Sequence, residues 1–387
     1  MKTVLIGTGF AARFHYDALL RVHTARPEII GAWSPNEKRR TAFCEERGIR
    51  AFKSLDEAIA AGDVIHVCTP PSTHEPVAVQ ALKAGKQVVI EKPFTGYFGD
   101  GSPDFNGQEC DKATALKEAA ASCARIAEAE KAGSGTVFYA ENWVYAPAIQ
   151  KEREVIEKSG ARVLWIRGEE SHSGSHSQSY GIWAQSGGGS LMGKSVHPLT
   201  GALYLKQAEG IARDGKAIRP VSVTARTHSL TADSRFRDLG FLRKGYTDVE
   251  DFGVMHILFD DGTVADIVAS EIVMGGVNNL LEVVADNHRT KCNINPNTAM
   301  QAYTPDPKQF KDIYITEKIE TSGGWNFMSP DEDWFTGYQH EMNAFYADMA
   351  AGSAPQSGTP LASSVIATVY AAYLSAAQNG VETAIPS

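Results

Sequence analysis

Apolar residues in the first ninety positions form short unbroken runs, separated by stretches with helical spacing. Val4 to Ile6, Ile29 to Trp33, Val64 to Cys68 and Val88 to Ile90 predict strands, and helices are expected over 12–22, 37–47 and 76–84. Strands apolar on both faces and alternating with helices predict a parallel sheet covered on each side. From Phe94 to Lys112 the pattern fails. That insert mixes Gly, Asp and aromatics, so it reads as an ordered loop that folds over a substrate mouth or against a neighbouring subunit, the alternative being a variable surface excursion. An Ala-rich helix near 113–132 and a strand at 136–139 follow. Beyond about Glu141 the period changes to two, in 162–167, 221–225, 253–259 and 263–270, with Asp260-Asp261-Gly262 as a hairpin turn. An apolar helix from about Ser363 to Ala377 ends before Asn379-Gly380.

The first strand and helix are joined by Gly7-Thr8-Gly9-Phe10-Ala11-Ala12, a G-x-G-x-x-A turn. Gly7 permits the bend, Gly9 lets the backbone approach a pyrophosphate, and Ala12 keeps the helix close to the sheet. The helix N-terminus offers N–H groups to the anion. With these flanks the turn predicts a dinucleotide site, with Phe10 as a further candidate. Glu91-Lys92-Pro93 follows the strand Val88 to Ile90, at the sheet edge where doubly wound folds bind ligands. The amine of Lys92 is therefore expected beside the dinucleotide.

The length of 387 residues calls for two domains, expected at 1–141 (carrying the insert 94–112) and 142–387. The fold class expected is α/β, a Rossmann-type doubly wound parallel sheet, followed by an α+β domain with a large open mixed or antiparallel sheet. A net charge of −9 without a basic cluster argues against nucleic acid as a partner. With no secretory segment and no apolar stretch read as a membrane span, a cytoplasmic protein without a membrane partner is expected. Five cysteines without C-x-x-C spacing read as reduced thiols, not as a zinc site.

The Gly7 turn, Thr69-Pro70-Pro71-Ser72-Thr73-His74, Ala84-Gly85-Lys86 and Glu91-Lys92-Pro93, with a later Gly-rich segment ending in His197, resemble the Gfo/Idh/MocA oxidoreductases. The resemblance is dense over the first ninety-five residues and extends in outline over the whole chain. It implies a nicotinamide cofactor lined by Thr69, Pro70 and His74, with Glu91 and Lys92 at the nicotinamide ribose and the substrate. It also implies a Lys92-Pro93 bond that is frequently cis, sugar, sugar-acid or cyclitol substrates, and a homodimer or homotetramer built through the second sheet.

The later segment, Gly187-Gly188-Gly189-Ser190-Leu191-Met192-Gly193-Lys194-Ser195-Val196-His197-Pro198-Leu199-Thr200, resembles the family's G-G-G-x-L-x-D-x-G-x-H-x-x-D. Gly193, Ser195 and Thr200 depart from it. The lost first Asp is the carboxylate that works in relatives with the lysine and the histidine, so His197 needs another partner or Lys92 carries more of the proton transfer. Lys92 and His197 are the catalytic candidates. Substrate hydroxyls are assigned to Lys92, Glu141, Asn142, Tyr145, His172, His176, Lys194 and His197, beside the indole of Trp143. His172 and His176 near Glu170 do not read as a metal site, because Gly174 interrupts any helix that would align them, and no metal is expected.

Where NAD versions of this fold end the second strand in an acid, this chain has Ser34, with Lys38 and Arg39 in the next helix. NADP is favoured over NAD on that ground. The expected activity is hydride transfer between the nicotinamide and a carbinol carbon. The alternatives are a redox-neutral isomerase or glycoside-cleaving relative with tightly held cofactor, and a non-catalytic NADP-dependent sensor.

Overall fold

The computed structural model describes residues 1–175, 177–295 and 298–386. The doubly apolar runs become β1 (Lys2–Ile6), β2 (Glu28–Trp33), β3 (Arg50–Ala51), β4 (Val64–Val67), β5 (Gln87–Glu91) and β6 (Val137–Ala140), all parallel, in the order β3-β2-β1-β4-β5-β6. This is the Rossmann order, which places the switch point between β1 and β4. Every residue of β4 and β6 is buried; successive side chains point to opposite faces, so both faces of the sheet are covered. The apolar pattern missed β3 and the helix Leu55–Ala61. The strand is two residues long, both exposed, and the helix is seven residues long, too short for a period to show.

The second sheet takes β7 (Val163–Ser171), β8 (Pro220–His228), β9 (Phe252–Phe259), β10 (Val264–Ser270), β11 (Asn278–Ala285) and β12 (Arg289–Asn295). A separate hairpin joins β13 (Gln301–Thr304) to β14 (Gly324–Phe327), and β15 (Thr383–Ala384) completes the sheet in the order β12-β11-β7-β10-β9-β8-β15 among the described residues. β7 and β10 are parallel and the other pairs antiparallel, which makes the sheet mixed. The helix Val196–Asp214 lies against β7, and the helix Thr359–Ala377 against β8.

That last helix begins four residues before the expected start, because Pro360 in its first turn needs no amide partner there. Contrary to the sequence reading, it is long and apolar enough to cross a membrane by length and composition. It is a core helix instead: Val365, Ile366, Val369 and Tyr370 are fully buried.

The insert is pinned within its own chain. Phe94 is buried, the amide of Tyr97 donates to Tyr370 Oη at 2.6 Å, and the indole of Trp183 donates to the carbonyl of Tyr97 at 2.9 Å. The amide of Gly107 donates to Asp248 Oδ2 at 2.8 Å. The buried ammonium of Lys112 satisfies the carbonyls of Gly107, Gln108 and Cys110. The loop thus clamps the segment leading into Gly187.

Candidate active site

The phosphate turn is built as its residues dictate. Gly7 has φ +110°, and a Cβ there would meet the Cys68 carbonyl oxygen at 2.3 Å, so only glycine lets β1 exit against the end of β4. Gly9 caps the helix Phe10–Leu19 without a side-chain acceptor, has open space where a Cβ would stand, and leaves Phe10 exposed. Ala12 is fully buried. Thr69 Oγ1 is buried without a hydrogen-bond partner, as a hydroxyl reserved for a ligand would be. An open helix N-terminus, a close glycine turn and an orphaned hydroxyl at one sheet edge fit a dinucleotide.

His74 takes a different place from the one expected. It is fully buried, and its ring nitrogens face the carbonyls of Pro93 and Thr69, each at 2.9 Å. It ties the exit of β4 to that of β5. Pro70 precedes the short turn Pro71–Thr73. At the end of β2, Ser34 Oγ lies 2.9 Å from Thr8 Oγ1, joining the second strand to the phosphate turn. The side chain of Arg39 is exposed, whereas Arg40 donates to the Ser34 carbonyl at 2.7 Å and has a buried, unpartnered Nε. Arg40, which the sequence reading passed over, is the guanidinium fixed beside Ser34.

Glu91 ends β5 at the head of a buried polar chain. Its Oε1 lies 2.9 Å from His15 Nε2, His15 Nδ1 lies 2.7 Å from His66 Nδ1, and His66 Nε2 lies 3.0 Å from Tyr346 Oη. Burial raises the Glu91 carboxyl, but the His15 bond, with His15 and Lys92 nearby, holds it below its usual value. Its other oxygen accepts the amide of Lys92 at 2.9 Å. The Lys92-Pro93 bond is cis. The Lys92 ammonium donates to the Gly193 carbonyl at 3.3 Å and sits 5.7 Å from the centre of the Tyr180 ring. Burial favours the neutral amine, yet Tyr180, Glu170, Glu91 and Glu141 together raise Lys92 above its ordinary value. It is a cation.

Gly193 stands where the resemblance places an aspartate. A Cβ there would touch the Tyr180 ring at 3.4 Å and lie 4.0 Å from Glu271 Oε1, so an aromatic ring and another carboxylate occupy that side. The substitute partners of His197 come from elsewhere. Its Nδ1 lies 2.5 Å from Glu141 Oε1, and its Nε2 lies 3.7 Å from Glu170 Oε2, beyond hydrogen-bond reach. All three side chains are buried.

Glu170 is brought there by β7. Gly168, Glu170 and Ile166 share one face of that strand. A Cβ on Gly168 would meet Pro198 Cβ at 2.7 Å, so the missing side chain lets the His197 helix sit directly on the strand. Burial pushes Glu170 up to about 7 against the pull of Lys194 and Lys92. Burial also raises Glu141 well above the usual carboxylate range, while burial and the cations Lys92 and Lys194 depress His197 well below its ordinary value.

With this geometry in view, the likenesses to known proteins fall into place. Residues 1–103 match the oxidoreductase family with an NAD-binding Rossmann fold, Gfo/Idh/MocA. The match covers β1 to β5 and the start of the insert, so the likeness in sequence is to that family's NAD-binding domain. UDP-N-acetylglucosamine 3-dehydrogenase from Acidithiobacillus ferrooxidans is 38% identical over 95 residues, 24% of this chain and 29% of that protein. The match thus spans less than a third of that relative. A solved structure of GenD2 from gentamicin A biosynthesis in complex with NAD superposes with a TM-score of 0.79 at 23% identity, covering 100% of this chain and 97% of that one. A myo-inositol 2-dehydrogenase from Lactobacillus plantarum gives 0.74 at 16% identity, covering 100% and 99%. These two show a shared fold over the whole chain, and the family match makes the expected dinucleotide a nicotinamide one.

The other substrate candidates divide. Lys194 is buried with its ammonium 3.0 Å from Ser175 Oγ and 3.5 Å from Glu271 Oε1, and it shares the Tyr180 ring with Lys92. His172 Nδ1 accepts the Gly174 amide at 2.9 Å and lies 3.7 Å from Glu271 Oε2. Both stand in one cluster at the exit of β7. Asn142 and Tyr145 point elsewhere: Asn142 donates to the Thr336 carbonyl at 2.7 Å, and Tyr145 Oη meets Ser357 Oγ at 3.0 Å. Trp143 is buried and stacks on His197 with ring centres 6.2 Å apart, so it orients the imidazole and offers no open face to a sugar. His176 lies outside the described residues. Beside the cluster, a cavity of about 710 Å³ is lined by Ser173, Ser175, Gln178, Arg243 and Lys318, among others. No group of acidic, His and Cys side chains suited to a metal ion occurs among the described residues.

Sequence reasoning missed Glu170 and Glu271 as site members, and Glu250. Glu250 accepts the amides of Gly189 and Leu191 at 3.2 and 2.9 Å and so fixes the Gly-rich segment. A lone Glu at a strand end gives no motif. The one available signal was the absent aspartate, which required a carboxylate from elsewhere.

Proposed function

We propose that the protein is an NAD(P)-dependent dehydrogenase moving a hydride between the nicotinamide and a carbinol carbon of a sugar, sugar acid or cyclitol. The observation that carries this reading is the convergence of Lys92, at the end of β5, with the buried Glu141 after β6, His197 of the Gly-rich segment and Glu170 of β7. The nicotinamide, when bound, supplies or accepts the hydride. Lys92, held cationic among carboxylates, donates to the reacting oxygen and stabilises charge developing on it. His197 is fixed by Glu141 on one side and Trp143 on its face, so its Nε2 is aimed. Lys194, His172 and the adjoining cavity offer polar contacts to further hydroxyls.

The absence of an acid at Ser34, with Arg40 fixed to its carbonyl and Arg39 exposed one residue before, favours NADP over NAD. We place the protein in the cytoplasm as a homodimer or homotetramer joined through the second sheet, where Leu164 on β7 and Val221 on β8 are exposed at 42% and 38%. The boundary between its two domains falls after Glu141, where β6 gives way to the Glu141 turn.

The test is a panel of sugars, sugar acids and cyclitols offered with NAD and with NADP while the absorbance of reduced cofactor is followed. Reduction with at least one polyol, faster with NADP, is expected. No reduction across the panel, with cofactor shown to bind, would contradict the reading.

A further inference from the structure

We propose that Glu170 is the proton acceptor of the reaction, a strand-borne carboxylate that takes over from the aspartate missing at Gly193. The inference rests on the dehydrogenase reading above and concerns only which group takes the hydroxyl proton. Three groups face the reacting position, and two of them are already donors. Lys92 is a cation and can only donate. His197 is neutral, and the carboxyl of Glu141, driven toward its protonated form by burial, donates to Nδ1 across 2.5 Å. An imidazole that accepts at Nδ1 carries its proton on Nε2, so His197 also presents a donor.

That leaves Glu170, whose Oε2 is buried without a hydrogen-bond partner and faces His197 Nε2 across 3.7 Å. A buried oxygen left unsatisfied in this way is a vacancy in the hydrogen-bond pattern, and a substrate hydroxyl fills it with the right polarity. The groups acting on this carboxylate are accounted for. Lys194 from the Gly-rich segment and Lys92 from β5 favour its ionised form, whereas Glu271 and Glu317 oppose it. The balance sits near neutrality, where a general base is most effective.

In the oxidation direction the carbinol O–H bond breaks and its proton passes to Glu170 Oε2. The electron pair of the C–H bond leaves as hydride to the dinucleotide, the oxidant of the proposed reaction, and the carbonyl forms between the two donors Lys92 and His197. In reduction the protonated Glu170 returns the proton.

The experiment compares wild type with Glu170→Gln, Glu170→Asp and Glu141→Gln. The pH dependence of kcat/KM for polyol oxidation is measured on each, and infrared spectra of the substrate-free protein are recorded across the same pH range. Wild type should lose activity as pH falls through about 7. Glu170→Gln should lower kcat by roughly 100-fold or more and abolish that acid limb, while Glu170→Asp keeps the limb at a reduced rate. Glu141→Gln, whose amide still donates to Nδ1, should keep it too. Burial pushes Glu250 up to about 7 as well, so in the infrared the protonated carboxyl band that disappears as pH rises through about 7 should be weaker in Glu170→Gln than in wild type by the contribution of one carboxyl, the remainder belonging to Glu250. Near-normal turnover with the acid limb intact in Glu170→Gln, or a band of undiminished intensity in that variant, overturns the proposal. Unchanged melting temperature and cofactor binding show that the variants fold. An enzyme inactive on every polyol defeats the dehydrogenase reading, whereas the infrared titration still decides the state of Glu170.

Discussion

The two ends of the candidate active site are built in opposite ways. At the cofactor end, Gly7, Gly9 and Ala12 act within one turn, and Glu91 and Lys92 are neighbours at the end of one strand. At the substrate end, His197 is served by Glu141, 56 residues away in the chain, and faces Glu170 on β7. A local device depends on residue spacing and is preserved as a motif. A distributed device depends on where carboxylates meet in space, so it tolerates the exchange of one for another. That is why the first end keeps its pattern here and the second departs from it at Gly193, Ser195 and Thr200.

The comparison turns on Lys92, which belongs to both ends, and its removal carries the largest expected effect. Lys92→Ala should lower turnover by about 100-fold or more with cofactor affinity retained, because in the proposed mechanism the buried cation acts on the reacting oxygen. Turnover and cofactor titration on the same preparation separate the two outcomes, and near-normal turnover would remove Lys92 from the mechanism.

Ser34→Asp probes the cofactor end alone. A carboxylate beside Arg40 and a 2′-phosphate should shift the ratio of specificity constants toward NAD by about 10- to 100-fold, with substrate KM unmoved. If wild type already favours NAD by a wide margin, the reading of Ser34 fails.

The smallest effect is expected where the His197 helix meets β7. Gly168→Ala puts a Cβ 2.7 Å from Pro198 Cβ, so the helix must move away from the strand that carries Glu170. Overpacking of this kind costs ~1–3 kcal/mol, and turnover should fall by about 10-fold or less while cofactor affinity stays the same. A parallel loss of cofactor binding would show that the two ends are not separable.

The same contrast decides what was legible in the sequence. The parallel sheet, the phosphate turn and the place of Lys92 were readable because each is written in contiguous residues whose spacing has one physical meaning. The mixed character of the second sheet was anticipated, but β11 and β12 were not assigned. Asn278, Asn279 and Glu282 interrupt the first, and Arg289, Lys291 and Asn293 give the second a polar face. The need for a replacement at Gly193 was visible, but its source was not, since Glu141 meets His197 and Glu170 faces it only through tertiary packing. Asn142 and Tyr145, taken from the same segment as Glu141, turn to Thr336 and Ser357 because the short helix they lie on turns those side chains away from His197. The insert's aromatics signalled order correctly. Which surface they cover depended on Trp183 and Tyr370, far along the chain.

The most direct test of the account follows the hydrogen itself. A polyol found active in the panel, deuterated at the carbinol carbon, is incubated with oxidised cofactor and the nicotinamide is analysed by mass spectrometry and NMR. Deuterium at the nicotinamide C4, one per carbonyl formed, is the predicted result. Conversion of the polyol with no net change in the cofactor, or loss of the deuterium to water, would contradict it.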